Sequence, residues 1–190
     1  MKKIAVFASG SGSNFQAIVD AIESGKLTAE VKLLVCDQPN AFVVERAERS
    51  EIPAFIFSAK KYSSKEEYEL AILNELKEKQ IEFIVLAGYM RLIGSTLLKQ
   101  FEGKIVNIHP SLLPAFPGKD AIGQAISAGV KESGVTVHYV DAGMDTGPII
   151  EQKAVSIVED ETKETLQTKI HTIEHQLYPT VLQQLFTTLK

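Results

Sequence analysis

One cysteine in 190 residues, Cys36, leaves no partner for an intramolecular disulfide and no Cys-rich metal cluster. A basic excess is missing too: 20 Lys and Arg stand against 24 Asp and Glu, a net charge of −4. Coating nucleic acid requires cations to neutralise phosphates, so that class of partner is excluded while a local anion pocket is not. No apolar run approaches the roughly 20 residues of a membrane span. The opening Met1–Ala8 invites comparison with a signal peptide, but it is short and passes straight into Ser9-Gly10-Ser11-Gly12, so it reads as a first buried strand. Repeats, low-complexity tracts and linkers are also lacking. What remains is 45% hydrophobic and 23% charged, in a length that suits one domain over residues 1–190. A soluble cytoplasmic protein without a metal is expected.

Short apolar runs alternate with helical spacing. Ile4–Ala8, Val31–Cys36, Ala54–Phe57, Phe83–Ala87 and Ile105–Ile108 read as buried strands. Between them, Asn14–Ser24 carries Phe15, Ile18, Val19 and Ile22 on one face, with Gly25 as a stop. Phe42–Arg49, Lys65–Lys79 and Ser95–Phe101 are further helices. This alternation predicts an α/β fold: a Rossmann-like, open, mostly parallel sheet with helices on both faces. The pattern changes at His109. Three prolines and a glycine make 109–118 a shaped loop, after which Asp120–Ala128 resumes as a helix. Val135–Val140 and Ile149–Ile157 are strands with no helix between them, so they pair antiparallel and the sheet becomes mixed toward the C-terminus. Glu161–Leu189 is helical, with a kink or break expected at Pro179.

Gly10-Ser11-Gly12-Ser13-Asn14 follows a strand and opens a helix. Free N–H groups and the positive end of the helix dipole suit a phosphate there. The dinucleotide fingerprint requires a third glycine, and Phe15 stands in its place; no Gly-Lys-Ser/Thr follows either. A mononucleotide or sugar phosphate therefore fits better than NAD or a P-loop ligand. The plain alternative is a turn in which Ser13 or Asn14 is an N-cap.

Asn107 and His109 end the fifth strand, where open α/β sheets bind ligands, and residues two apart face the same side. A carboxylate is available in the second glycine-rich loop, from Asp141 or Asp145. An amide for a developing oxyanion, an imidazole for proton transfer and an acid to orient it make an acyl-transfer set. No Gly-x-Ser-x-Gly elbow accompanies them, so the substrate must bring the nucleophile. Alternatively, Asn107 and His109 cap a turn before Pro110. His171-Thr172-Ile173-Glu174-His175 matches the His-x-x-Glu-His zinc pattern, but it is short and no third ligand is evident, so a packed or solvated helix is preferred.

Four segments together resemble the phosphoribosylglycinamide formyltransferases of purine synthesis: Gly12-Ser13-Asn14-Phe15-Gln16-Ala17, Leu86-Ala87-Gly88-Tyr89-Met90-Arg91-Leu92, Asn107-Ile108-His109-Pro110-Ser111-Leu112-Leu113-Pro114, and Val140-Asp141-Ala142-Gly143-Met144-Asp145-Thr146-Gly147-Pro148-Ile149. The resemblance implies formyl transfer from 10-formyltetrahydrofolate, a co-substrate, to the amine of glycinamide ribonucleotide through a tetrahedral intermediate, by a monomer or homodimer. It implies that Gly12, Ser13 and Asn14 hold the ribonucleotide phosphate and that Glu174 meets its glycinamide end. On the folate side it implies Met90, Arg91, Leu92 and Ile93, with Asn107 adjoining. Asn107, His109 and Asp145 are the implied catalytic group. Lys65 stands where a basic residue, often Arg, helps bind the folate; lysine keeps the charge without the planar fork. One departure is that Lys119-Asp120-Ala121-Ile122 replaces a His-rich stretch.

Read without the resemblance, Leu86, Met90 and Leu92 are strand-end core and Arg91 a surface ion pair. Methionyl-tRNA formyltransferases share the His-Pro-Ser-Leu-Leu-Pro loop but add a tRNA-binding domain, for which this chain has neither the length nor the charge. Formyltetrahydrofolate hydrolases, which use water as acceptor, usually bring a regulatory domain. A non-enzymatic nucleotide-binding module accounts for the glycine–serine turn but not for the Asn–His–Asp set.

Overall fold

The computed structural model describes residues 1–189. Its frame is set by β1 (Lys2–Ala8), in which Ile4, Val6 and Ala8 face one side of the sheet and Ala5 and Phe7 the other, all at 0% exposure. A strand buried on both faces has no polar side to offer, which is why it reads as a continuous apolar run. Around it lie β2 (Ala29–Cys36), β3 (Ala54–Ile56), β4 (Phe83–Leu86), β5 (Ile105–His109), β6 (Glu132–Tyr139) and β7 (Ile149–Ser156). The sheet order is β3-β2-β1-β4-β5-β6-β7. The first five strands in that order run parallel, while β6 pairs antiparallel with both β5 and β7. The sheet is thus mixed at the end where the sequence lacks a crossover helix.

Helices α1 (Ser13–Glu23), α2 (Phe42–Arg49), α5 (Ala121–Ala128) and α6 (Lys163–Thr188) contribute to one core, and α3 (Lys65–Glu78) and α4 (Ser95–Gln100) to the core on the opposite face. After β1 the chain builds outward to β2 and β3, then crosses to β4 on the other side. This switch point leaves a crevice beyond the carboxyl ends of β1 and β4, where such sheets take their ligands.

Two local expectations are corrected. The last helix does not break at Pro179; α6 runs through it. Proline removes one helical hydrogen bond, to the carbonyl of His175, but Tyr178, Pro179, Val181 and Leu182 are all buried, and packing of that face outweighs the lost bond. Neither Ser13 nor Asn14 caps α1. The cap position is Gly12 in the left-handed region, at φ 74°, and no side chain caps the first turn. A Cβ on Gly12 would lie 2.5 Å from Val43 Cγ2, so glycine is required both by the backbone and by the space. No helix among the described residues is long and apolar enough to cross a membrane.

Candidate active site

The carboxyl ends of β1, β4 and β5, with the 109–118 and 141–148 loops and the first half of α6, enclose a cleft of about 610 Å³. That is the size of a small-molecule site. Its floor is tied down from behind by Tyr178 of α6, fully buried, whose Oη donates to Leu86 O at 2.7 Å and lies 3.2 Å from Val106 O. One phenol thus fixes the ends of β4 and β5, the strands that lead to Met90 and to Asn107.

At one end of the cleft lies the glycine–serine turn. Val43 N donates to Gly10 O at 3.1 Å and Arg46 Nε to Ser11 O at 2.8 Å, so α2 holds the turn from outside. With Gly12 as cap, the first-turn N–H groups of α1 have no side-chain acceptor. Phe15, where a dinucleotide site has its third glycine, is wholly buried in the core. Asn14 reaches across to α6, donating from Nδ2 to Glu174 Oε2 at 3.2 Å, and its Oδ1 is buried without a partner among the described residues. Glu174 is 5% exposed. Burial pushes its carboxyl up to about 7, against a smaller opposing effect of the Asn14 bond. His171 and His175 flank it with rings 6.0 Å apart, but Glu174 turns to Asn14 and the nearest histidine nitrogen, His171 Nε2, is 4.0 Å away. Glu174 of the His-x-x-Glu-His pattern is thus engaged by the Asn14 contact.

At the other end, Asn107 and His109 come off β5 as neighbours on one face. His109 Nε2 donates to Phe116 O at 2.8 Å, because a carbonyl only accepts. Its Nδ1 then faces Asp145 Oδ2 at 3.6 Å, beyond hydrogen-bond length and free to serve a third atom. Asp145 is held in the left-handed region at φ 56°, a conformation that asparagine and aspartate tolerate but do not favour. Gly118 N donates to its Oδ2 at 2.7 Å. Burial raises the Asp145 carboxyl, but His138, the Gly118 N–H and the His109 charge together outweigh it and hold it below the usual range. It is a carboxylate at neutral pH. Of the two acids left open by the sequence, Asp145 faces the histidine, while Asp141 bonds Thr146 Oγ1 and Gly143 N within its own loop.

His138 was not among the expected residues. In the antiparallel register it lies directly opposite Asn107. Asn107 Nδ2 is 3.3 Å from His138 Nε2, and Asp145 Oδ1 is 3.7 Å from the same nitrogen. His138 Nδ1 donates to Tyr139 O at 2.8 Å, and its Nε2 lies between the Asn107 amide and the Asp145 carboxylate, accepting from the first when the ring is neutral and donating toward the second when it is protonated. Asn107, His138, Asp145 and His109 therefore stand side by side in an arc on the cleft wall, Asn107 and His138 in hydrogen-bond contact and Asp145 at 3.7 Å and 3.6 Å from the two imidazoles. A signal for His138 exists in the sequence: it interrupts the apolar run of β6 two residues after Thr136, on the face that a β5 neighbour must share. Thr136 supports the proline loop in turn, accepting from Leu113 N and donating to Ser111 O. The Leu113–Pro114 peptide is cis.

Between the two ends, Met90 and Leu92 are exposed at 63% and 47%, so they are not strand-end core, whereas Ile93 is buried in the second core. Arg91 is an ion-pair residue, with Nε 2.7 Å from Asp37 Oδ2, and it also lines the cleft. Lys65 opens α3 beside Gly94 and Glu69 and does not line the cleft. Glu69, 2% exposed, accepts from Gly94 N at 2.6 Å and holds the end of this segment.

Residues 2–182 match the formyl transferase family. The chain is 60% identical over 185 residues to the phosphoribosylglycinamide formyltransferase of Bacillus subtilis (strain 168), an alignment covering 97% of this chain and 95% of that one. The crystal structure of phosphoribosylglycinamide formyltransferase from Bacillus halodurans superposes with a TM-score of 0.97 at 59% identity, covering 100% and 97% of the two chains. Glycinamide ribonucleotide transformylase 1 from Geobacillus kaustophilus gives 0.95 at 68% identity, covering 97% and 98%. With this match over nearly its whole length, the chain belongs to the formyl transferase family.

Proposed function

We propose that this formyltransferase moves the formyl group of 10-formyltetrahydrofolate to the amine of glycinamide ribonucleotide, a step of de novo purine synthesis, and that Asn107, His109 and Asp145 carry the step. The observation that carries this reading is the arc at the end of β5, where an amide, an imidazole nitrogen not bonded within the protein and an ionised carboxylate line one cleft wall. No serine or cysteine nucleophile stands among them, which suits a reaction whose nucleophile is the substrate's own amine.

The ribonucleotide phosphate sits at the first turn of α1, taken by N–H groups of the Gly12–Asn14 turn. The ribose and glycinamide extend along the cleft past Glu174 toward β5. The formyl donor lies against the 90–93 segment. Attack of the neutral amine forms a C–N bond and moves the carbonyl electron pair onto oxygen, giving a tetrahedral adduct. Asn107 and protonated His109 Nδ1 donate to that oxygen, each contributing on the order of 10²–10³ in rate. Asp145 stabilises the proton on His109 and, through water, accepts the proton lost by the attacking nitrogen. Collapse of the adduct breaks the old C–N bond, and that proton passes to the leaving folate nitrogen. The test is an assay of the purified chain with both substrates, following release of tetrahydrofolate. Formylated ribonucleotide forming in step with that release supports the reading; saturable ribonucleotide binding without formyl transfer would defeat it.

A further inference from the structure

We propose that Asp37, which does not line the cleft, is a positioning residue for the formyl donor, acting through Ser9 and Arg91 on the 88–93 segment. This rests on the reading of that segment as the donor side.

Asp37 follows the last residue of β2 and is 3% exposed. A carboxylate so buried must be fully paired, and this one is. Its Oδ2 accepts from Arg91 Nε at 2.7 Å and its Oδ1 from Ser9 Oγ. Ser9 Oγ in turn accepts from Met90 N at 2.9 Å, and Ser9 N donates to Gly88 O at 3.0 Å. Two consecutive residues of the segment therefore hang from one acid, Met90 by its main chain and Arg91 by its side chain. The segment is anchored at its flanks, by Tyr89 edge-on to Phe7 and by buried Ile93 with the Glu69–Gly94 bond, while the side chains of Met90 and Leu92 between them lie largely in the open. Arg91 uses Nε on Asp37 and lies over the Tyr68 ring at 5.8 Å. Its terminal nitrogens are paired to no carboxylate of the described residues, which leaves a preset fork for an acceptor group on the donor. None of the groups bonded to Asp37 belongs to the turn that takes the phosphate, so its loss is felt on one substrate.

The experiment measures KM for each substrate and kcat in Asp37→Ala, Asp37→Asn, Arg91→Ala and the Asp37→Ala/Arg91→Ala double variant. Asp37→Ala raises the donor KM about tenfold or more, the scale of a charged hydrogen bond, with the ribonucleotide KM nearly unchanged. Asp37→Asn, which keeps the shape and one acceptor, recovers part of the loss and carries the test if the alanine variant fails to fold. The double variant loses less than the product of the two single losses, since both act on the same guanidinium. An unchanged donor KM in Asp37→Ala and Asp37→Asn, or an equal rise in both KM values, overturns the proposal. If Arg91→Ala also leaves the donor KM unchanged, the donor-side reading itself falls; if Arg91→Ala raises it and Asp37→Ala does not, only the role of Asp37 falls.

Discussion

The two ends of the cleft are built on different principles. The glycine–serine end offers main-chain N–H groups at a helix terminus, held by α2 from outside through Arg46 and Val43. The β5 end offers side chains, each fixed by a bond on its far side: His109 by Phe116 O, Asp145 by Gly118 N, Asn107 by His138. Main-chain donors cannot be removed by substitution, so the first end should lose affinity gently when its side chains are trimmed. At the second end, under the proposed mechanism, the trimmed group is the one that meets the charge developing in the transition state, and turnover should collapse. Binding and chemistry should thus be separable by mutation.

The largest effect is expected at Asp145. Asp145→Asn keeps the shape but loses the charge facing two histidines, and turnover should fall on the order of 10²–10⁴ with modest change in ribonucleotide affinity; equal losses in both would mark Asp145 as structural. Asn107→Ala should cost on the order of 10²–10³ in kcat by removing one oxyanion donor, measured at saturating substrates. Near-normal turnover would remove it from the catalytic set.

Glu174 sharpens the comparison, because it is a buried acid at the end that otherwise relies on the main chain. Its carboxyl is raised from 4.5 when free to about 7 in the fold. The fold therefore favours the protonated form: the contribution is full below about 4.5 and is lost as pH rises through about 7. Glu174→Gln removes this dependence. Its stability relative to the native chain should climb across that window by on the order of 2–3 kcal/mol, read from denaturant titrations at several pH values. A flat difference would show that Glu174 is not held neutral. The smallest effect belongs to the turn itself. Ser13→Ala with Asn14→Ala should raise the ribonucleotide KM about tenfold and lower kcat less. Normal ribonucleotide binding in that variant would show that the side chains of Ser13 and Asn14 add nothing to the main-chain donors at this end.

Much of this was legible in the residues. β1 is an unbroken apolar run because both its faces are covered, and Asn107 and His109 share a face because a strand alternates with period two. The residues alone leave the carboxylate between Asp141 and Asp145, and only the family resemblance singles out Asp145, the one that the loop throws into the left-handed region beside Gly118. His138 and Asp37 were missed for the same kind of reason. His138 meets Asn107 only through an antiparallel register between strands about 30 residues apart, and Asp37 meets Arg91 only because β2 and β4 flank β1. The helix does not break at Pro179 because its stability comes from its buried face, which no local rule about proline conveys. Long-range pairing, not residue chemistry, was the missing information.

The most direct test of the catalytic arc is the rate of tetrahydrofolate release from 10-formyltetrahydrofolate by His109→Ala beside the native chain, with both substrates saturating and their affinities measured separately. The account predicts turnover by the native chain that requires the ribonucleotide, and a loss on the order of 10²–10³ in the variant with both affinities kept. Turnover in the variant close to that of the native chain would contradict it.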